Sequence, residues 1–364
     1  MSNTSAMLGL LTETSLHAGT GQMVGVIDLP IQREAHTDWP CIYGSGVKGS
    51  MRALAKSKEN EWVNEVFGPE MASASEYAGA LAVGDARLLL LPVRSLTSHF
   101  KWVTCPALLQ RLQADCQRLQ FADAEQFPPM PPFDKDKALV ATQPGTDSSL
   151  FLEEFRFTPQ FNQQLGELIK TIAPLMGRED AELALQKQLT VVNDDAFSHL
   201  ARYATPVNAH IAINNETKIV KPGALWYEET LPPDTLLYVA LVAQPVRKAG
   251  VDKKAADVLG HIQALFDQTH PYIHLGGNET VGMGWCKVIF KTARLRPDSL
   301  HSHPSQSKSA TVTDMKPKAT TKLKATTKQK KPKAKLAAND DATTKSSFLG
   351  RWELPSGNGI SRYS

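Results

Sequence analysis

Apolar residues occur along the first 296 residues in short runs and in helical spacings, and both patterns predict regular structure. The predicted strands are apolar runs bounded by turn residues: Met7–Thr14, Gly79–Leu91, Leu150–Phe157, Thr235–Val242 and Trp285–Lys291. The predicted helices repeat apolar residues every three to four positions: Ser45–Ser57, Ala107–Leu119, Gln160–Leu175, Asp180–Leu189 and Ala255–Phe266. This order of elements favours an α+β sheet with its helices on one face.

Two other stretches depart from that pattern. His210–Ile213 and Gly223–Glu229 flank the polar residues 214–218, which predicts a β-hairpin or an extended arm. The proline-rich stretch Phe127–Phe133 and the polar stretch Ala141–Ser148 interrupt the helical and strand patterns. We therefore expect an irregular insertion in that part of the chain.

The composition changes after about residue 296. Residues 297–345 are rich in Lys and Thr and contain few apolar side chains, so we expect a disordered linker. Residues 346–364 regain apolar character, which predicts a short C-terminal tail that is either a docking peptide or a tail without a partner.

Ten lysines and one acid lie within Lys308–Lys335, although the whole chain carries only +3. The body is therefore mildly acidic, and it must bind any nucleic acid through local patches, main-chain N–H groups or neighbouring subunits.

Composition also excludes several classes of protein. The four cysteines (Cys41, Cys105, Cys116 and Cys286) show no metal-ligand spacing, so we expect reduced thiols and neither a disulfide framework nor a zinc site. No apolar run reaches the roughly 18 residues of a membrane span. The start of the chain lacks the basic and apolar regions of a signal peptide. We expect a cytoplasmic protein with no membrane partner.

A glycine-rich motif opens the predicted helix Ser45–Ser57. Its sequence over residues 44–52 is Gly-Ser-Gly-Val-Lys-Gly-Ser-Met-Arg, which places main-chain N–H groups at a helix N-terminus. Such a position attracts anions, and Lys48 and Arg52 fall on one helix face. The motif therefore predicts contact with an RNA backbone, or alternatively a solvated helix start; its spacing is not that of a Walker A motif. The candidate RNA-binding residues are Ser45, Gly46, Lys48, Gly49 and Arg52.

A second cluster of glycines lies in residues 276–284. Glycines allow the main chain to approach a ligand closely, but they also serve tight loops that need positive φ angles. Both interpretations stay open for this loop. The candidate RNA-binding residues here are Gly276, Gly277, Thr280, Gly282 and Gly284.

Two side chains near the start of the chain are candidates for chemistry. Asp28 lies between Ile27 and Leu29 and could bind a metal, orient a ribose 2′-hydroxyl or act as a base. The alternative for Asp28 is an aspartate that caps a turn. His17 lies in a glycine-containing loop and could transfer protons near neutral pH, or it is structural.

Three separated motifs together resemble the RAMP superfamily, and within it the backbone subunit of type III-B CRISPR effectors (the Cmr complex). The first motif lies within His17–Arg52, the second within Asn215–Glu229 and the third within His274–Trp285, in the order found in that family. The resemblance covers about Met7 to Ile289. It implies an RNA-recognition-like (ferredoxin-like) core over residues 1–296, with a helical insertion at about residues 101–200 and a β-hairpin thumb at about residues 205–232.

The resemblance also implies a function. Several copies would bind a guide CRISPR RNA as a head-to-tail filament and cleave complementary target RNA at regular intervals. In the family, the thumb wedges between bases of the guide–target duplex held by the next subunit; here the residues in the thumb motif are Asn215, Thr217 and Lys218. The other implied partners are a large polymerase-like subunit, a small helical subunit and capping RAMP subunits.

One catalytic residue is implied by the same resemblance. Asp28, within Val-Ile-Asp-Leu-Pro, matches the family residue implicated in target cleavage. The resemblance implies a divalent metal (Mg or Mn), with Asp28 as its candidate ligand, and products with a 2′,3′-cyclic phosphate and a 5′-hydroxyl. Further candidates near the cut site are His17, Tyr227, Glu228 and, as a helper only, Glu229.

Three other functions remain open on the sequence. A scaffold of the same fold would bind guide RNA without cutting it. A repeat-RNA processing endoribonuclease of the same superfamily would act alone and would need His17. A small-molecule enzyme would use the glycine loops to bind a nucleotide.

Overall fold

The first and last parts of the chain build one sheet, and the middle of the chain extends it. The computed structural model describes residues 4–70, 76–121, 127–128, 130 and 132–293, and the expected linker and tail lie outside these residues. The strands are β1 (Thr4–Thr12), β2 (Cys41–Ile42), β3 (Leu81–Ser95), β4 (Ser98–Thr104), β5 (Lys137–Val140), β6 (Leu150–Leu152), β7 (Phe155–Phe161), β8 (Leu189–Val191), β9 (Val207–Ile213), β10 (Val220–Glu229), β11 (Leu236–Ala243), β12 (Tyr272–His274) and β13 (Trp285–Thr292). The helices are α1 (Gly44–Ser57), α2 (Val63–Phe67), α3 (Pro106–Arg118), α4 (Leu165–Ile172), α5 (Ala181–Gln188), α6 (Asp194–Tyr203) and α7 (Ala255–Gln263).

The centre of the molecule is a βαββαβ core. Its four strands lie in the order β13–β1–β11–β3, and each is antiparallel to its neighbours. Helix α1 lies between β1 and β3 in the chain, and α7 lies between β11 and β13. This strand order and connectivity define a ferredoxin-like core, so the fold implied by the resemblance is confirmed. The short strands β12 and β2 add to the core by pairing with β13 and β3.

Helices cover both faces of the sheet. On β1, Leu8 and Leu10 belong to the apolar cluster that includes α1 and α7, whereas Met7 and Leu11 belong to the cluster that includes α4 and α5. The prediction that helices lie on one face is therefore wrong. A strand that is buried on both faces reads as a continuous apolar run, and residues 6–11 of β1 form such a run, so the sequence itself indicated a second covering layer.

The residues between β3 and β11 continue the sheet as well as adding helices. Beyond β3 the strand order is β4–β8–β5–β7–β6, with parallel pairs between β4 and β8 and between β5 and β7. The predicted strand Leu150–Phe157 is two strands, β6 and β7, joined at Glu153 with a positive φ of 49°. The helix predicted from Gln160 starts later, because β7 continues to Phe161. The sequence pattern missed the strands β2, β4, β5, β8 and β12 and the helices α2 and α6.

The predicted hairpin is present. Strands β9 and β10 pair antiparallel in a two-stranded sheet of their own, with Ile211 opposite Leu225 and Ala209 opposite Tyr227. The turn is closed by Asn214, whose Oδ1 accepts hydrogen bonds from main-chain N–H groups within the turn. The arm therefore projects from the main sheet as a separate unit.

Two further features bear on the predictions. All four cysteines are buried, and none of them forms a disulfide bond. In the part of the chain that the structure describes, no helix is both long enough and apolar enough to cross a membrane.

Candidate functional site

Asp28 lies at the base of the hairpin, where residues 28–31 run beside the end of β10. The N–H of Leu29 donates to the carbonyl of Tyr227 (3.0 Å), and the N–H of Glu229 donates to the carbonyl of Leu29 (3.0 Å). Asp28 Oδ2 accepts a hydrogen bond from the N–H of Tyr227 (2.8 Å). Asp28 is half-buried, and the preceding loop exposes Val24 and Val26. One carboxylate oxygen thus fixes the position of Asp28, and no hydrogen bond within the described residues engages the other.

His17 is enclosed by main chain. The residue is 8% exposed, and its Nδ1 lies 2.7 Å from the carbonyl oxygen of Glu229. A Cβ on Gly19 would lie 2.6 Å from His17 Nε2, and one on Gly276 would lie 2.3 Å from the His17 carbonyl oxygen. Glycine is therefore required on both sides of this residue. These contacts are those of a packed, structural histidine beside the candidate acid.

Glu228 and Tyr227 occupy opposite faces of β10 at the same level. Glu228 is buried, and its Oε1 accepts a hydrogen bond from Asn278 Nδ2 (2.6 Å). The same oxygen lies 4.0 Å from His17 Nδ1. The Tyr227 ring is exposed on the other side of the strand. The structure therefore gathers all four predicted catalytic residues at the hairpin base, although they are up to 211 residues apart in sequence.

Glu229 belongs to a buried network that the sequence did not reveal. Its Oε1 accepts hydrogen bonds from Arg33 Nη2 and Thr205 Oγ1, and its Oε2 accepts one from the N–H of Ile31 (3.1 Å). Arg33 also donates to the carbonyl oxygens of Asp38 and Ala201. Because both carboxylate oxygens are engaged, Glu229 holds the hairpin to the body. No local signal distinguishes it from Glu228, since its partners are distant in sequence.

The glycine loop packs directly against the His17 loop. The N–H of Gly277 donates to the His17 carbonyl (2.8 Å), and Gly276 has a φ of 82°. Gly284 is buried with a φ of 84°, and a Cβ there would lie 2.2 Å from the Leu275 carbonyl oxygen. Gly276 and Gly284 are therefore needed for the conformation of the tight loop, which agrees with the structural interpretation of this motif. The candidates that the structure leaves exposed on this loop are Gly276, Gly277, Thr280 and Gly282.

The start of α1 is only partly open to an anion. Ser45, Gly46 and Gly49 are exposed, but the N–H of Gly44 already donates to Asp85 Oδ1 (2.7 Å). Asp85 lies on β3 and was not predicted, because nothing near the motif indicates which strand residue faces it. A resident carboxylate at this helix end competes with a phosphate for the first N–H group.

The two candidate cations of α1, Lys48 and Arg52, are bound within the protein. Lys48 Nζ donates to the Leu81 carbonyl (3.1 Å), and burial, followed by repulsion from Arg52, lowers the pKa of Lys48. Arg52 donates to the Gly68 carbonyl (2.6 Å) and to Asn64 Oδ1 (2.8 Å). Both side chains are half-buried, so they can contribute their charge to a nearby phosphate while they keep these bonds.

The thumb candidates lie far from the hairpin base. Asn215, Thr217 and Lys218 are exposed at the turn between β9 and β10. Lys218 has a positive φ of 57°, which the tight turn requires. The structure therefore separates these three residues from Asp28 by the length of the arm, as expected for a tip that acts on another molecule.

Hydrogen bonds join the three sequence motifs into one surface. Asn278 links the glycine loop to Glu228, and the Gly277 N–H links it to His17. Gln32 donates to the Gly19 carbonyl (3.1 Å) and accepts from the N–H of Tyr43 (2.7 Å), directly before α1. The candidate cleavage residues and both glycine motifs thus share one side of the molecule.

The arrangement provides one carboxylate for a metal. Within the described ranges, no three His, Cys, Asp or Glu side chains are grouped as a metal site. Glu228 and Glu229 are already bonded inside the protein, which leaves Asp28. A single carboxylate combined with water and substrate phosphate oxygens is a common way to hold Mg²⁺. The residues present therefore fit a divalent metal that is bound together with RNA.

Comparison with known proteins gives consistent similarities. The profile of the RAMP superfamily matches residues 10–287. The CRISPR system Cmr endoribonuclease Cmr4 of Pyrococcus furiosus is 38% identical over 290 residues, which cover 78% of this chain and 95% of that protein. The CRISPR system CMR subunit Cmr4 of Saccharolobus solfataricus is 25% identical over 300 residues, covering 74% of this chain and 91% of that protein.

Solved structures agree with these sequence matches. The crystal structure of oligomeric Cmr4 from Pyrococcus furiosus superposes with a TM-score of 0.62 at 30% identity, covering 81% of this chain and 100% of that chain. A chain of the type III-B Cmr-beta complex bound to cognate target RNA superposes with a TM-score of 0.60 at 21% identity, covering 80% of this chain and 97% of that chain. At that identity, the second match establishes a shared fold alone.

Proposed function

Because the chain belongs to the RAMP superfamily and is 38% identical to an endoribonuclease of the Cmr system, we propose that it is the backbone subunit of a type III-B CRISPR effector. In that role, copies of the chain polymerise head to tail along a guide RNA and cleave the complementary target RNA. A head-to-tail contact that does not close forms an open filament, so other subunits must cap its ends. The other partners of the proposed complex are the large polymerase-like and small helical subunits.

The single observation that carries this proposal is the convergence of three motifs at the hairpin base. Asp28 is tied to Tyr227, Glu228 is tied to Asn278, and His17 is tied to Gly277. An accessible carboxylate beside exposed main chain of a glycine loop suits a site that holds an RNA backbone and acts on one of its riboses. In such a complex, guide pairing reads the sequence, and the protein contacts the backbone.

Guide RNA contact is assigned to the exposed parts of both glycine motifs. Ser45 offers its hydroxyl and main-chain N–H groups, and the exposed Gly46 and Gly49 let an RNA backbone approach α1 closely, with Lys48 and Arg52 beside them. The exposed glycine-loop residues lie on the same side of the molecule. Main-chain donors suit phosphate contacts, because such contacts do not depend on the identity of the base. A filament that forms on guides of different sequence needs contacts of this kind. The mildly acidic composition of the body is compatible with contacts of this local kind.

Cleavage is assigned to Asp28. The thumb of the next copy would splay one target nucleotide and align its 2′-hydroxyl with the adjacent phosphorus. The 2′-oxygen attacks phosphorus while Asp28 takes its proton, and the bond to the 5′-oxygen breaks as that oxygen gains a proton from solvent water. The products are a 2′,3′-cyclic phosphate and a 5′-hydroxyl. A divalent metal held by Asp28 and RNA oxygens would supply charge stabilisation at the phosphate.

The alternatives fit the geometry less well. A repeat-RNA processing enzyme would use His17, but that side chain is enclosed and its Nδ1 bonds to the main chain. A small-molecule enzyme would not need an arm with an exposed tip. A non-catalytic scaffold remains the second candidate, because Asp28 Oδ2 also has the structural task of holding the N–H of Tyr227.

Two substitutions at Asp28 separate its chemical task from its structural task. Asp28→Asn keeps an oxygen that can accept from Tyr227, and Asp28→Ala removes it. We expect both variants, in the assembled guide complex, to cut a labelled complementary RNA at least about 100-fold more slowly, as for loss of a general base. Target affinity should be unchanged, and the exposed Asp252→Asn variant should cut normally.

The outcomes decide between the candidates. Regularly spaced cuts by the wild type in Mg²⁺ or Mn²⁺, but not with a chelator, support the proposal with its metal. Absence of cuts by the wild type, despite tight target binding, would favour the scaffold. Cuts that persist in Asp28→Asn and Asp28→Ala would place the chemistry at other residues.

A further inference from the structure

A cleft of about 360 Å³ separates α1 from β12 and the start of β13. One wall is the outer face of α1, where the lining residues include Ser50, Ala53 and Ser57. The other wall is aromatic and is formed by Tyr272 and Trp285 together with His270 and His274. The cleft is distinct from the hairpin base, and no residue of the predicted catalytic set lines it.

The aromatic wall is held in a fixed arrangement. The rings of His270 and His274 stand edge-on to Trp285, with centroids 6.4 Å and 6.2 Å away. The Trp285 side chain nevertheless remains 37% exposed. Its main chain is anchored, since its N–H donates to Thr14 Oγ1 (3.1 Å) and its carbonyl accepts from the N–H of Glu13 (2.8 Å). A partly exposed indole on a rigid strand end is suited to stacking against a flat ligand.

The charge of the lining indicates which part of a ligand can enter. Glu279 is the only permanently charged residue among those that line the cleft. A phosphate would be repelled there, whereas hydroxyl, imidazole and carboxylate groups can hydrogen-bond to the edge of a neutral ring. A cleft of this volume lies within the range of small-ligand sites. Its chemistry therefore favours a flat, neutral, heteroaromatic group.

The position of the cleft supplies the identity of that group. It lies between α1 and Glu279, which belong to the two glycine motifs assigned to guide phosphates under the proposed function. Ala53 is seven residues beyond Gly46, or about 10 Å along the helix axis. When the phosphate of a nucleotide contacts the start of α1, the base of that nucleotide or of the adjacent nucleotide is therefore close enough to enter the cleft.

We propose that the cleft between α1 and Trp285 binds one unpaired base of the guide RNA by stacking on the aromatic wall. This inference rests on the proposed function and adds a base-binding site to its backbone contacts. Stacking on an aromatic side chain tolerates every base, because each has a π-face. A filament subunit can thus grip a guide of any sequence at this position.

The test uses the full chain and an RNA short enough to bind a single copy, so that self-association does not contribute. Trp285→Ala removes the ring but keeps the main-chain bonds to Glu13 and Thr14. We expect it to weaken RNA binding about tenfold, as for the loss of one stacked base. Trp285→Phe keeps a stacking surface and should stay within about threefold of the wild type. Tyr203→Ala, which removes a 65% exposed ring on α6 outside the cleft, is the matched control and should bind normally.

Each result has a definite meaning. Ultraviolet crosslinking of the wild-type complex should attach RNA to the peptide that carries Tyr272 or Trp285. An unchanged affinity of Trp285→Ala would overturn the base-binding proposal while leaving the proposed function in place. Loss of self-assembly with unchanged single-copy RNA affinity would also overturn it, in favour of a protein interface. Failure of the wild type to bind RNA would overturn the proposed function itself.

Discussion

Glu228 and Glu229 are adjacent carboxylates at the end of β10, and both are buried. Glu228 accepts one hydrogen bond from Asn278, so it joins the hairpin to the glycine loop. Glu229 accepts three, from Arg33, Thr205 and Ile31. Successive side chains of a strand point to opposite sides. Glu228 and Glu229 therefore have different surroundings although they are adjacent residues of the same type.

Glu229→Gln should destabilise the protein. The amide keeps the shape of the side chain but loses the charge that Arg33 pairs with and turns one acceptor into a donor. We expect the free energy of unfolding to fall by about 2 kcal/mol, in the range for hydrogen bonds to charged groups. Urea denaturation followed by circular dichroism would measure it. Glu216→Gln, at the exposed hairpin turn, is the control and should stay within about 0.5 kcal/mol. An equal stability of Glu229→Gln and wild type would mean that the network does not hold the hairpin.

At the scale of single residues, the sequence predicted which residues belong to the site better than it predicted their hydrogen-bond partners. It selected Asp28 and His17 from local context, and the structure brings both to the hairpin base. It did not predict Arg33 as the partner of Glu229 or Asp85 as the cap of α1. The bonded pairs Arg33–Glu229 and Gly44–Asp85 are 196 and 41 residues apart. Pairings of this kind depend on strand order and register, which local patterns do not fix.

At the scale of elements, the strands and helices with a clear apolar period were predicted and the others were not. α1 and α7 were predicted within three residues at each end, and β1 and β13 within three residues. The failures are the strands β2, β4, β5, β8 and β12, the helices α2 and α6, and the division of Leu150–Phe157, where β6 has only three residues. A three-residue strand carries too little alternation to be recognised. The position of such a short strand in the sheet is set by the strand with which it pairs.

The glycine loop offers a test in which backbone conformation is held constant. Gly282 and Gly284 have φ angles of 82° and 84°, so a side chain at either is strained by the backbone. Around Gly282 nothing lies within 4 Å of an added Cβ, whereas at Gly284 the Cβ would lie 2.2 Å from the Leu275 carbonyl oxygen. The two positions therefore share a positive φ angle and differ in packing.

We expect Gly282→Ala to cost about 1–2 kcal/mol of unfolding free energy, from backbone strain. Gly284→Ala should cost about 1–3 kcal/mol more, because the main chain at Leu275, directly after β12, must move to admit the methyl group. Thermal and urea unfolding of the two variants would measure the difference. Equal losses would show that the loop can yield at Gly284. The interpretation of Gly284 as a packing glycine would then fail.

At the scale of the whole molecule, the hairpin is an arm that its own body does not cover. Beyond its base, where β10 bonds to residues 28–31, the arm is a two-stranded sheet of its own, and Ile211 and Leu225 face each other across it at 48% and 55% exposure. A two-stranded hairpin is marginally stable in water without a surface to pack on. Exposed apolar residues on such an arm indicate an interaction site, and in the proposed filament the neighbouring copy supplies the covering surface.

Charges placed on this face should therefore prevent assembly without unfolding the chain. In the double variant Ile211→Glu/Leu225→Lys, the two new side chains lie directly opposite and attract each other, which preserves the hairpin. We expect the single chain to keep its thermal stability. The number of copies bound to each guide RNA should fall at least about tenfold, because the apolar contact with the next copy is lost. Sedimentation analysis with guide RNA would measure filament length. The matched control is Leu96→Lys/Leu183→Glu, which replaces leucines of 79% and 56% exposure outside the arm with the same two charges. Filaments of normal length from the hairpin variant would show that the arm's apolar face is not the contact between copies; shortened filaments from both variants would assign the effect to surface charge in general.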